Sequence, residues 1–329
     1  MNEYTVIGSR VRLARNIADV RFPSRATRED AEFVARKVVS AGKNVTDGTF
    51  YVMASLDKGE RSYLVERHLI SPALAAAPYG AAYISKDKHL SVMVMEEDHV
   101  RAQSFFPKLD LERCFDTVKE YDLAFRSKVR PAYDKQLGFL TACPTNVGTG
   151  MRASVMMFLP ALSVLHKIDE LEDELKKANL TIRGSLGEGS KGVGYCYQVS
   201  NGVSLGVSED TILNRVSSAV KRIADIESDM LTAYYEREKI RLEDTVYRAV
   251  AILGAARTLS QKELESYMVY LKIGVMLGMI PPCRIDPDDL ILMCKPYGIV
   301  KLTQCGDSPA ERDVARAELV RKIMNSKEV

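Results

Sequence analysis

Apolar residues recur at helical spacing in some stretches of this chain and at alternate or adjacent positions in others. Thr27, with Asp30 in the first turn, opens a run in which Ala31, Val34, Ala35 and Val38 share one helical face; the run stops at Gly42, so a capped helix is predicted there. Short β-branched or apolar runs bounded by turn residues predict strands over 49–53, 80–85 and 89–95. The last of these ends at Glu96 and Glu97, which sets adjacent carboxylates at a strand terminus, where side chains can project into a site while the sheet fixes the backbone. Helical spacing returns over 111–129 and over 151–167, with Pro160 as a kink, and continues briefly over 171–179. Strand-like runs over 195–199 and 202–207 precede Ser208, which caps a helix running to about residue 226.

After about residue 228 the strand signals cease. Helical periods cover 230–253, then 264–279 behind the capping box Ser260-Gln261-Lys262-Glu263, and a last helix follows Ser308-Pro309-Ala310-Glu311. The expected organisation is an α+β region over 1–228 followed by an all-helical region over 229–329. Length agrees with this, since 329 residues are enough for two domains and 46% hydrophobic content supports buried cores. A net charge of +2 on 46 basic and 44 acidic residues gives no sequence-wide attraction to nucleic acid or membranes. The six cysteines, at 114, 143, 196, 283, 294 and 305, form no C-x-x-C pair and no metal-type spacing with the four histidines. With no leader-like or membrane-spanning run, a reduced cytoplasmic protein without structural zinc is expected.

Chemistry concentrates in two loops. Cys143-Pro144-Thr145-Asn146-Val147-Gly148-Thr149-Gly150-Met151-Arg152 joins a reactive residue type, a rigid turn and a Gly/Thr loop that delivers an arginine into the predicted helix. Arg183-Gly184-Ser185-Leu186-Gly187-Glu188 again sets an arginine beside a glycine and adds a carboxylate. Together they suggest an anion held by guanidinium groups with an acid nearby. Gly148, Gly150, Gly184 and Gly187 would let backbone N–H groups approach a phosphate chain closely. Two strings, Gly148-x-Gly150-x-x-Ala153 and Gly187-x-Gly189-x-x-Gly192, also satisfy a dinucleotide pattern, but neither is followed by a persuasive βαβ unit and no Walker A string occurs.

The wording of these loops, C-P-T-N-x-G-T-G-x-R-A-S and R-G-x-x-G-E, resembles the catalytic domain of phosphagen kinases, the arginine and creatine kinase family. Ser9-Arg10-Val11-Arg12-Leu13-Ala14-Arg15-Asn16, Glu96-Glu97-Asp98-His99-Val100-Arg101 and Tyr197-Gln198-Val199-Ser200-Asn201 agree in order, so the resemblance covers about residues 8 to 230. It implies a mainly antiparallel sheet flanked by helices, and ATP with Mg2+ bound mainly through the nucleotide phosphates. Arg10, Arg12, Arg101, Arg152 and Arg183 match the arginines that clamp those phosphates. The implied nucleotide site also takes in Ser9, Val11, Ala153, Ser154, Val155, Met156, Gly184, Ser185, Leu186, Gly187 and Glu188, with His68 near the adenine and ribose. Glu97 matches the family's base and Glu188 its partner carboxylate. A guanidinium nitrogen, with a pKa above roughly 12, is no nucleophile until a base takes or shares its proton, and a carboxylate pair both orients it and accepts that proton. Cys143 matches the active-site cysteine, in an electrostatic or positioning role rather than a covalent one; His99 reads as a packing residue.

Within that superfamily the chain most resembles the bacterial protein arginine kinases, the McsB family, which share the H-L-I-S-P string at His68 and the E-E-D-H-x-R segment. The first arginine motif begins at residue 9, without the helical domain that precedes it in kinases of free arginine or creatine. The implied acceptor is therefore a larger guanidinium bearer, an arginine side chain on a protein. Near the C-terminus, Arg312-Asp313-Val314-Ala315-Arg316-Ala317 puts two arginines four apart at a helix start. Taken bare it is an exposed salt-bridge ladder; by resemblance Arg312, Asp313, Arg316 and Ala317 form a phosphoarginine site for allosteric activation. The resemblance further implies a homodimer, an activator protein and a Clp-type protease for the marked clients, with neither nucleic acid nor membrane as partner. A small-guanidino phosphagen kinase and a silent phosphoarginine-reading adaptor are the alternatives, and intact Glu97, Glu188 and five arginines argue against the second.

Overall fold

A computed structural model describes residues 4–184 and 193–326 of the chain. Its main sheet takes β1 (Val6–Arg15), β2 (Gly48–Val52), β3 (Ala81–Ser85), β4 (Leu90–Val94) and β5 (Val100–Pro107). A small separate ribbon, β6 (Tyr133–Asp134) with β7 (Gly138–Phe139), precedes β8 (Met151–Phe158), β9 (Leu180–Gly184) and β10 (Cys196–Asn201). The eight strands of the main sheet run in the order β2-β3-β4-β5-β1-β8-β10-β9, and all their pairings are antiparallel. The helices are α1 (Arg28–Val45), α2 (Lys58–Glu66), α3 (Pro72–Ala76), α4 (Leu111–Arg126), α5 (Pro160–Val164), α6 (Ile168–Lys177), α7 (Glu209–Ala255), α8 (Gln261–Met276), α9 (Pro287–Met293), α10 (Pro296–Thr303) and α11 (Pro309–Asn325). The α+β class with a helical C-terminal region is as the sequence predicts. Among the described residues no helix is long and apolar enough to cross a membrane.

Period-two alternation gives the sheet two unlike faces. Val11 and Leu13 of β1, Val92 and Val94 of β4, Ala102 of β5, and Ala153, Val155 and Met157 of β8 turn to one side. There they meet Val34 and Val38 of α1, Val118, Tyr121 and Phe125 of α4, and Val216 and Val220 of α7 in one core. The opposite face carries Arg10, Arg12, Arg101 and Arg152 and is the site described below.

Three predicted elements are corrected. Residues 151–158 form the strand β8, not the start of a helix, and Pro160 opens α5 as its first residue instead of kinking a longer helix. β8 lies inside the sheet between β1 and β10, and its apolar run Val155-Met156-Met157-Phe158 has a period that is hard to distinguish from a helix. Residues 202–207 are a turn, not a strand: Ser204 Oγ donates to the carbonyls of Thr145 (2.8 Å) and Val147 (2.9 Å) and so props the glycine loop. The helix capped by Ser208 does not stop near residue 226. It continues as α7 to Ala255, with one non-helical residue at Glu238.

Two carboxylates join distant helices to this frame. Glu66, at the end of α2, accepts the N–H groups of Tyr297 and Gly298 (3.0 Å each for Oε2), capping α10, whose own N-cap residue Lys295 supplies no side-chain bond. Glu227 of α7 is fully buried and accepts the N–H groups of Ala161 (2.7 Å) and Leu162 (3.0 Å) at the start of α5. Burial pushes the Glu227 carboxyl from 4.5 up to about 7, against the two N–H bonds that pull it down. The folded state thus holds a proton that the unfolded chain has released. Stability should be greatest below the unfolded value and should fall as pH rises from about 5 to about 7, by about 3 kcal/mol at 1.36 kcal/mol per pKa unit. Denaturant midpoints measured across that range should show this slope, and Glu227→Gln should flatten it.

Candidate active site

The arginine face follows from register. On β1, Arg12 stands opposite Arg152 of β8 on one side and Gln103 of β5 on the other, Arg10 stands opposite Ser154, and Ala14 pairs with Arg101. Like charges facing each other across strands repel, so the sheet holds this arrangement against a cost. The repulsion is visible in the acidities. Arg10 is lowered from 12.5 to about 10, by desolvation first and then by Arg101 and Arg152. Arg12 is lowered well below its ordinary value by desolvation, then by Arg10, Arg101 and Arg152, with Glu96 opposing. Arg10 Nη2 donates to Gln198 Oε1 (2.7 Å), while the Nε atoms of Arg12 and Arg101 are buried without a hydrogen-bond partner among the described residues. Four cations on one half-buried face, two of them with an unmet Nε donor, constitute a seat for a multiply charged anion.

Arg183 lies on β9 opposite Gln198 and so shares this face at the sheet's far edge. Ser185, Leu186, Gly187 and Glu188, which follow β9, lie outside the described residues, and the expected partner carboxylate is among them. Ser154 and Met156 accompany Arg152 on the arginine face, whereas Val11, Ala153 and Val155 send their side chains into the core. Ser9 also faces away: its hydroxyl donates to the Lys108 carbonyl (2.8 Å) and accepts from the Asp110 N–H (2.9 Å) at the start of α4.

At one end of the arginine face the β4–β5 hairpin presents the carboxylates. Met95, at φ 59°, turns the chain, and its N–H donates to the His99 carbonyl (3.0 Å). Glu96 folds back, accepting from Ser71 Oγ and forming an ion pair with Arg101 (2.7 Å). Glu97 stays exposed. Its carboxyl is held above the usual range by desolvation first, then by neighbouring Asp98 and Glu96, while Arg101 and a hydrogen bond to Cys143 pull the other way. A raised carboxylate accepts protons more readily, which suits a base. Asp98 accepts from Asn16 Nδ2 (2.6 Å) and the Ala142 N–H (2.7 Å), so it ties the Cys143 loop to the end of β1. Cys143 Sγ lies 3.0 Å from Thr145 Oγ1. The structure thus brings Glu97 and Cys143 together beside Arg101.

His99 is a framework residue. The Ile17 N–H donates to Nδ1 (3.0 Å), so the proton sits on Nε2, which donates to the Arg21 carbonyl (2.6 Å). His68 sits on the far rim at φ 56°, with its carbonyl accepting from Gln103 Nε2 (2.8 Å). Its imidazole is lowered from 6.5 to about 4 by desolvation, then by Arg10, Lys295 and Arg67; because the ring is itself exposed, repulsion from the three cations is the firmer cause. A neutral ring beside Arg10 suits the uncharged part of a nucleotide.

The glycine loop packs closely on the protein around it. A Cβ on Gly148 would lie 2.3 Å from the Ser204 carbonyl oxygen, and one on Gly150 2.5 Å from Arg15 Nη1. With φ of 113° and 66°, these glycines are required for that close packing. Arg15 explains that packing: it pairs with Asp122 through Nε (2.8 Å) and Nη2 (3.1 Å), donates to the Thr149 carbonyl (2.9 Å) and stacks on Phe139 (3.6 Å). Sequence reasoning missed Gln103 and Gln198 as parts of the site. Gln198 had a signal, since it lies within the Tyr197–Asn201 motif; Asp122 had none.

In the C-terminal region Arg312 and Arg316 do not form an exposed ladder. Arg316 is buried: Nε donates to the Cys294 carbonyl (3.0 Å), and Nη1 to the Leu259 carbonyl (2.7 Å) and Asp313 Oδ1 (2.6 Å). Arg312 lies nearer the surface and pairs with Asp307 (2.6 Å), and Ala317 is buried.

Comparison with known proteins agrees with this geometry. Residues 31–230 match the family described as ATP:guanido phosphotransferase, C-terminal catalytic domain, and residues 239–329 match the protein-arginine kinase McsB C-terminal domain. The protein-arginine kinase of Caldanaerobacter subterraneus subsp. tengcongensis is 38% identical over 329 residues, 98% of each chain. That of Bacillus subtilis is 36% identical over 330 residues, 97% of this chain and 90% of the relative. Among solved structures, a lombricine kinase superposes with a TM-score of 0.62 at 25% identity, covering 69% of this chain and 67% of its own. The duplicated taurocyamine kinase of Schistosoma mansoni, with bound transition-state-analogue components, gives 0.61 at 25%, covering 80% and 39%.

Proposed function

The chain belongs to the ATP:guanido phosphotransferase family, among its protein-arginine kinases, and from that premise we propose that it transfers the γ-phosphoryl group of ATP to arginine side chains of proteins. The observation that carries the reading is the convergence of Arg10, Arg12, Arg101 and Arg152 on one sheet face, with Glu97 and Cys143 at its end. The arginines, joined by Arg183, hold the phosphates and neutralise charge spreading over the transferring group. Magnesium is carried mainly on the phosphates. Glu97 and Glu188 orient the acceptor guanidinium; one of its nitrogens forms the N–P bond as the bond from the γ-phosphorus to the ADP oxygen breaks, and the nitrogen's proton passes to Glu97. Cys143 positions Glu97 without forming a covalent intermediate. ADP release measured with denatured protein, free arginine or creatine as acceptor should show turnover with the protein. Turnover confined to the small compounds would make this a phosphagen kinase of the metabolic kind.

We extend the reading to the organisation and regulation of the chain. Residues 1–228 carry catalysis and residues 229–329 form a helical dimerisation and phosphoarginine-sensing region, in a cytoplasmic enzyme working with an activator protein and a Clp-type protease. Burial of Arg316 divides the labour at the allosteric site: Arg316 fixes Asp313 and the frame of α11, and Arg312, half-buried and held by the carboxylate and backbone carbonyl of Asp307, meets the ligand's phosphate. Arg312→Ala should therefore weaken phosphoarginine binding in calorimetry and remove its stimulation. Arg316→Ala should instead lower the melting temperature, because it strands the carbonyls of Leu259 and Cys294. An unchanged phosphoarginine titration for Arg312→Ala would contradict the assignment.

A further inference from the structure

Beside Glu97 lies a cavity of about 330 Å³ whose floor is Glu96 and Glu97 and whose walls include Phe22, Pro23, Pro78 and Tyr79. Both aromatic side chains are partly open to solvent, Phe22 at 37% and Tyr79 at 43% exposure. They come from separate loops, one following β1 and the other preceding β3. Phe22 is not loose. Its ring lies 5.9 Å from that of His99, which is locked by the Ile17 N–H and the Arg21 carbonyl, the latter belonging to the residue just before Phe22. The segment that supplies the carboxylates thus also braces one wall of the cavity above them. Exposed aromatic walls over an acidic floor suit a planar cation with an apolar stem: rings stack on a guanidinium and cover methylenes, while a carboxylate takes the N–H fork.

We infer that Phe22 and Tyr79 select the acceptor, gripping the methylenes and guanidinium plane of a protein arginine so that its terminal nitrogens meet Glu97. This rests on the activity proposed above and adds its specificity residues. The floor dictates which end enters. Glu96 is already engaged by Arg101 and Ser71, which leaves Glu97, outside any ion pair among the described residues, to receive the incoming cation. The walls contribute to holding the acceptor and not to the nucleotide, since none of the arginines of the sheet face lines this cavity.

Steady-state kinetics of the full chain, with ATP and an arginine-bearing peptide each varied in turn, tests this. Phe22→Ala and Tyr79→Ala should each raise KM for the peptide about ten-fold and leave KM for ATP within about two-fold, the loss expected of one stacked cation on a ring. Phe22→Tyr should recover most of the peptide affinity, which a general folding defect would not allow. An unchanged peptide KM in both alanine variants, or a parallel rise in KM for ATP, would overturn the assignment while leaving the proposed activity standing. Failure of the unaltered protein to phosphorylate any peptide arginine would remove the activity and this inference together.

Discussion

Glu97→Gln should cut phosphoryl transfer to arginine by about 100-fold or more while ATP affinity changes by no more than a few-fold. Glutamine keeps the size of the side chain and an acceptor oxygen but cannot take a proton at neutral pH. Glu97 lies on the hairpin end and lines the acceptor cavity, whereas the arginines that would hold phosphate lie on the sheet face and do not line it. Chemistry and nucleotide binding are therefore separable here. The pH profile supplies a second readout. Because Asp98, Glu96 and desolvation raise the Glu97 carboxyl, the rate should climb with pH through that raised value, and the limb should vanish in Glu97→Gln. A variant retaining more than about a tenth of the rate would remove the base role.

Arg12→Met should lower nucleotide affinity and turnover together, by about 100-fold or more, as expected when one member of a hydrogen-bonded charge cluster is lost. Its effect on the unliganded protein should have the opposite sign or be close to zero. Arg12 sits between Arg152 and Gln103, is repelled by three guanidiniums and leaves its Nε without a partner. Methionine fills similar space without charge, so it relieves that repulsion and opens no cavity. Thermal scans should show the variant melting no lower than the unaltered protein when both are free of nucleotide. ATP should raise the melting temperature of the unaltered protein far more. A variant that melts well below the unaltered protein would mean that Arg12 is structural.

Much of this site is legible in the sequence because its parts are local. Arg10-Val11-Arg12-Leu13 is a short alternation of charge and apolar residues, and the adjacent Glu96 and Glu97 announce a strand end. The face on which the arginines meet is not local. It depends on β1 lying between β5 and β8, which brings Arg12 opposite Arg152 from 140 residues away. β8 itself escaped detection because its buried methionines and valine carry no clear period. The tight packing of Gly148 and Gly150 was equally hidden, since it depends on Ser204 and on the Arg15–Asp122 pair across the fold. At the C-terminus, spacing alone put Arg312 and Arg316 on one exposed face. Docking of α11 against Leu259 and Cys294 buries Arg316, a tertiary effect that no helical wheel contains.

The phosphoryl acceptor is a guanidinium nitrogen on a protein, and one experiment decides this: the protein is incubated with ATP, Mg2+ and a denatured arginine-rich protein, the digest is kept near neutral pH, and the phosphate is located by mass spectrometry. Acid-labile phosphate should appear on arginine side chains and be lost with Glu97→Gln; acid-stable phosphate on serine or threonine would contradict arginine as the acceptor.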